Sequence, residues 1–81
     1  MNEKRKPAYK KRHGALTVTV WRNDGDNGPW YSVNLSRSYK KDDQWAESDS
    51  FGQDDLLRLA KMLHEADSWI ENTQQAERKA A

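Results

Sequence analysis

The chain predicts a small α+β domain of order β-β-β-α, in which one C-terminal helix covers one face of an antiparallel sheet. Two switches in pattern predict it. Before Phe51 the apolar residues alternate with a period of two, and after it they recur with a period near 3.6. A dense cluster of turn formers, 23–29, also splits the alternating region into two runs. Strands followed by a single helix give α+β. At 81 residues there is room for one domain.

The first strand is expected over 15–22, where Leu16, Val18 and Val20 alternate with Thr17, Thr19 and Trp21. Asn23 to Pro29 supplies two glycines and reads as the hairpin turn. The returning strand, 30–39, places Tyr31, Val33 and Leu35 on one side and Ser32, Asn34 and Ser36 on the other. After the polar break at Lys41-Asp42-Asp43, a weaker third strand is expected over 44–51. There Trp45 and Phe51 share one face, Ala46 and Ser48 the other, and the acids argue against strand. Ser50 to Gln53 has capping-box spacing, and Asp54 and Asp55 suit the positive end of a helix. Leu56, Leu59, Ala60, Leu63 and Ile70 then follow helical spacing, with Leu57, Met62, Ala66 and Trp69 widening the stripe. Leu56, Leu59 and Leu63 are expected to meet the aliphatic face of the hairpin. The domain boundaries expected are a flexible basic arm at 1–13, the domain at 14–71 and a polar tail at 72–81. A fourth strand, if one forms, comes from the arm around Ala8–Lys11.

Only eleven residues are Leu, Ile, Val or Phe, so the core is thin and four Trp and three Tyr must supplement it. A chain this small gains from pairing with a second copy. A homodimer is therefore expected, with Met62, Ala66 and Trp69 at its interface and Trp45, Phe51 and Trp69 inside the core or the dimer. Cysteine is absent, which excludes disulfides and thiolate metal sites. No apolar run approaches the ~20 residues of a membrane span, and no apolar segment follows the basic N-terminus as in a signal peptide. A cytoplasmic protein is expected.

Net charge is only +1, but it is unevenly spread. Residues 1–13 carry six basic side chains against Glu3, whereas residues 42–81 hold ten acids against four bases. One side of the molecule is suited to a polyanion and another is acidic. The bland alternative is a solvated basic tail on an acidic domain.

Catalysis is not expected. His64 with Ser68 or Ser50 and Asp67 names a conceivable triad, but nothing in the spacing fixes its geometry. Asp24 to Gly28 superficially suggests a calcium loop, but the twelfth position is Leu35 where a Glu is needed. No phosphate loop follows a strand. No cofactor and no metal are expected. What remains is cations beside aromatic rings, the combination that holds single-stranded nucleic acid by phosphate contact and base stacking. The expected contacts are Lys10, Lys11, Arg12, Arg22, Arg37, Lys40 and Lys41 for phosphates, with Trp21 and Tyr39 as stacking rings. For Trp21, exposure and burial in a dimer interface both stay open.

The residues Arg12-His13-Gly14-Ala15, Asn27-Gly28-Pro29, Ser36-Arg37-Ser38-Tyr39-Lys40, Ser50-Phe51 and Asp54-Asp55-Leu56-Leu57 resemble a family of short, uncharacterised bacterial proteins over about 12–71. That resemblance implies no activity. The element order also resembles the single-strand-binding fold of positive cofactor four and of the Whirly and Pur-alpha proteins. It implies a dimer with nucleic acid lying across the sheets. The function expected is a non-catalytic nucleic-acid binder, single-stranded DNA or RNA preferred, with a transcription or replication accessory role. The alternative is a small protein-interaction module, such as a host, phage or plasmid accessory protein.

Overall fold

The computed structural model describes residues 6–80. It contains β1 (Tyr9–His13), β2 (Leu16–Gly25), β3 (Gly28–Lys41) and β4 (Gln44–Ser48), then α1 (Leu56–Ala80). The strands form one antiparallel meander in the order β1-β2-β3-β4. The α+β class holds, with the fourth strand drawn from the basic N-terminal segment. Tyr9–His13, expected to be flexible, pairs with Leu16–Val20, and the Ala8 N–H donates to the Val20 carbonyl at 2.9 Å. Residues 1–5 of that segment lie outside the described residues.

Two-residue turns explain the meander. Gly14 has φ +60° between β1 and β2, a conformation glycine adopts without steric cost. Asp42 and Asp43 both have positive φ between β3 and β4, which short polar side chains tolerate. The hairpin 16–41 is longer than its sequence suggests, because Asn23, Asp24, Pro29 and the two glycines all pair across it. The third expected strand ends early, at Ser48, where the acids accumulate.

A 3-10 turn, Gln53–Asp55, precedes α1. The cap lies two residues beyond the expected one. The Gly52 N–H donates to the Asp55 carboxylate at 2.9 Å, and Ser50 takes no part in it. The helix then runs 25 residues, through the segment expected to be a polar tail, with Arg78 and Lys79 at its negative end.

The core lies between α1 and β2. Leu16, Val18 and Val20 are buried against Leu59, Met62 and Ala66. Each of the Leu, Val and Met side chains contributes ~1.5–3 kcal/mol on burial. Met62 and Ala66, expected at a dimer interface, are only 2% exposed, so the protomer's own sheet already occupies them. Trp69 joins them at the margin, its ring 5.2 Å from Tyr9 and 6.0 Å, edge-on, from Tyr31. The helix is therefore rotated from the expected orientation. Leu59 faces the sheet, but Leu56 and Leu63 stay 57% and 39% exposed. Anchoring by Trp69 at one end of the contact and by two helix carboxylates, described below, sets that rotation.

Candidate nucleic-acid interface

Cross-strand partners share a face of the sheet, so the pairing register assigns every side chain. Leu16, Val18, Val20 and Arg22 face the helix, together with Tyr9, Lys11 and His13 of β1 and Tyr31 to Lys41 at odd positions of β3. The other face carries Lys10 and Arg12, then Thr17, Thr19 and Trp21, then the even residues from Trp30 to Lys40, then Trp45 and Glu47. The helix α1 lies on the opposite side of the sheet. Among the described residues no element covers this second face.

The nine residues expected to bind nucleic acid thus divide. Lys10, Arg12, Trp21 and Lys40 are on the open face. Lys11, Arg22, Arg37, Tyr39 and Lys41 are on the helix face. Trp21 and Tyr39, the two expected stacking rings, lie on opposite faces and do not form one stacking platform.

On the helix face most of these cations are already engaged. The Lys11 ammonium donates to Glu65 at 3.0 Å. The Arg22 guanidinium donates to Glu77 at 2.9 Å and to Asp24 at 2.7 Å. The Tyr31 hydroxyl donates to the other Glu77 oxygen at 2.9 Å, so one carboxylate ties the end of α1 to two strands. The Tyr31 hydroxyl and Arg22 together hold the Glu77 carboxyl below its ordinary range. Lys11 does the same to Glu65. The same bonds push Lys11 and Arg22 up, while burial and then Glu77 push the Tyr31 phenol up. Arg37 donates to the Ser50 carbonyl at 3.0 Å, and its guanidinium lies 5.8 Å from the Tyr39 ring centre. That ring is covered by its neighbour rather than offered to a base.

The open face differs in chemistry. Trp45, expected inside the core or a dimer, is outside the core at 69% exposed and sits opposite Lys40. Trp30 is 54% exposed and lies against the hairpin backbone. A Cβ on Gly25 would come within 3.2 Å of the Trp30 ring, so the glycine lets the indole settle over the turn. Trp21, half-buried, is one row away, and the Asn23 amide donates to the Ser32 hydroxyl at 3.2 Å between them. A concavity of about 300 Å³ crosses the middle of this face, lined by Lys10, Arg12, Thr17, Thr19, Trp21 and Glu47 among others. Trp21 and Trp45 are eight residue steps apart along the strand direction, ~26 Å at strand rise. Hydroxyls and amides floor the space between them.

Trp30 and Trp45 are not among the nine contacts expected from the sequence. The alternation of Trp30 with Ser32 and Asn34 does place it, with Trp21, on the face expected to be open, as the register has it. No family model, curated protein or solved structure matches the chain. Among the described residues no helix is long and apolar enough to cross a membrane.

Proposed function

We propose that the protein binds single-stranded nucleic acid along the open face of its sheet, without catalysis, as a cytoplasmic accessory to transcription or replication. One observation carries this reading: Trp21, Trp30 and Trp45 share an uncovered face with Lys10, Arg12 and Lys40. Exposed indoles on a soluble surface oppose solubility unless they are used, and each base stacked on one is worth ~1–3 kcal/mol. Paired bases hide their ring faces, so stacking favours a single strand over a duplex. The order of strands and helix resembles the positive cofactor four, Whirly and Pur-alpha fold, which supports the same reading by analogy. Titrating tryptophan fluorescence with a short oligothymidylate and with a duplex tests it. Quenching by the single strand at ~50 mM salt, weakening steeply as salt rises, is expected. Absence of binding to either form at that salt rejects the reading.

A second reading, contact with another protein chain, has its own observation. Leu56, Leu57 and Leu63 of α1 and Val33 of β3 are exposed on the helix side at 57%, 87%, 39% and 41%. The helix covers only part of the sheet there, and the homodimer is the form of contact we favour. Its interface would use these residues in place of the buried Met62 and Ala66. Sedimentation at micromolar concentration should show twice the 9.5 kDa chain mass, and a single 9.5 kDa species rejects the dimer.

A further inference from the structure

The edge strand β1 reads Tyr-Lys-Lys-Arg-His, and its alternation sends Lys10 and Arg12 to the open face but Lys11 and His13 to the helix face. On that second side lies a cleft of about 440 Å³ between β1 and the start of α1, lined by Lys11, His13, Arg58, Lys61 and Glu65. Among the described residues Glu65 is the one acid lining it, and its carboxylate is occupied by Lys11 at 3.0 Å. That pair is neutral as a unit. Arg58 and Lys61 are exposed, and among the described residues neither is in an ion pair. Glu65 answers Lys11 and, more weakly, Lys61, so the cleft keeps a positive excess carried by Arg58 and Lys61. Leu57, 87% exposed, forms its apolar rim.

Cations thus flank β1 on both sides, and among the described residues no strand lies beyond β1. A polyanion lying on Lys10 and Arg12 reaches the cleft by crossing one strand's thickness. Two side-chain layers of a sheet put the two sides ~10 Å apart. A flexible single strand can turn over such an edge. A duplex, with a persistence length of ~50 nm, cannot.

We propose that a single-stranded nucleic acid bound on the open face continues over the β1 edge, and that Arg58 and Lys61 hold its phosphates in the cleft on the helix side. This rests on the open-face reading above. It adds a second phosphate site, reached only by strands long enough to leave the sheet, and a reason beyond stacking for rejecting duplex.

The test compares Arg58→Ala/Lys61→Ala with the unaltered chain, on oligothymidylates of about 6 and about 20 nucleotides, lengths that bracket common single-strand sites. Alanine is the best helix former and both side chains are exposed, so the helix should persist, as circular dichroism can check. With the long strand, the slope of log affinity against log salt should fall by about 1.4, two phosphates at ~0.7 each. With the short strand it should not change. An unchanged slope with the long strand overturns the proposal and leaves open-face binding intact. Equal weakening with both lengths also overturns it, since the two cations then act as a general field. If the unaltered chain binds neither oligonucleotide at ~50 mM salt, the open-face reading falls and this proposal with it.

Discussion

Both faces of this sheet carry basic and aromatic residues, and the two faces use them in opposite ways. On the helix face, Lys11 and Arg22 close on Glu65 and Glu77, while Tyr9, Tyr31 and Trp69 pack on one another. On the open face, Lys10, Lys40, Trp30 and Trp45 project outward with no helix above them. Basic and aromatic residues therefore indicate a binding surface only once the face is known. Where helix carboxylates meet them, as Glu65 and Glu77 do, they hold the fold. Where nothing does, they are left for a ligand.

The largest effect that should separate the faces comes from truncating one indole on each. Trp69→Ala removes the ring between Tyr9 and Tyr31 and should cost about 3 kcal/mol in urea unfolding, the lower end for large aromatic truncations. Trp45→Ala removes an exposed ring and should change stability by less than about 0.5 kcal/mol. Equal costs would mean that Trp45 is packed after all and would remove it from the interface.

Binding should reverse that ranking. Trp30→Ala and Trp45→Ala should each weaken single-strand affinity by ~1–3 kcal/mol, about 5- to 150-fold, while duplex affinity moves little. Tyr39→Ala, on the covered face beneath Arg37, should leave both unchanged. Selective loss of single-strand binding in the Tyr39 variant would place nucleic acid on the helix side and break the comparison.

Much of this contrast is legible in the sequence. The alternation of Leu16, Val18 and Val20 with Thr17, Thr19 and Trp21 assigns both faces of β2, and the same count along β3 places Tyr31, Val33 and Leu35 on the helix side. Continued two residues at a time, it also places Arg37, Tyr39 and Lys41 there, a signal that proximity in sequence to Lys40 obscured. Arg22 is likewise in phase with Val20. Other features were not legible. Lys10, Lys11 and Arg12 are ordinary for a solvated tail. They become strand because Tyr9 stacks on Trp69, 60 residues away, and because Lys11 meets Glu65. The rotation of α1 depends on those same distant partners. Its apolar stripe is wide enough to seat either Leu56 and Leu63 or Met62 and Trp69.

A pH titration should affect the covered face first. Glu77 and Glu65 have folded values lowered by their bonds to Tyr31, Arg22 and Lys11. A lowered carboxyl stabilises the fold above its unfolded value of ~4.3, and that contribution disappears as pH falls through the lower folded value. Stability should therefore hold near neutrality and decline in acid. Glu77→Gln should flatten the decline, since one of the two carboxylates no longer titrates. At the alkaline end Lys11 and Tyr31, both raised, stabilise the fold below ~10 and lose that contribution as pH climbs through their folded values. An acid limb with the same slope in Glu77→Gln would show that this clamp does not set the pH dependence.

The smallest expected effect concerns Glu47, an acid on the open face. Glu47 pairs across the sheet with Ser38 and lines the concavity that also holds Lys10 and Arg12. A phosphate drawn to those cations meets a like charge in the same depression, and two exposed charges ~4 Å apart in water interact by ~1 kcal/mol. Glu47→Gln keeps the side chain's size and hydrogen bonding while removing the repulsion. Single-strand affinity should rise about two- to fivefold at low salt, and the gain should fade at ~1 M, where the screening length is only ~3 Å. Charge removal on the helix face, at Glu65, should act differently, freeing Lys11 and loosening α1 from β1. If Glu47→Gln leaves affinity unchanged at low salt, the bound strand does not cross the middle of the open face. Its path must then run between Trp30 and Lys10 without reaching Trp45.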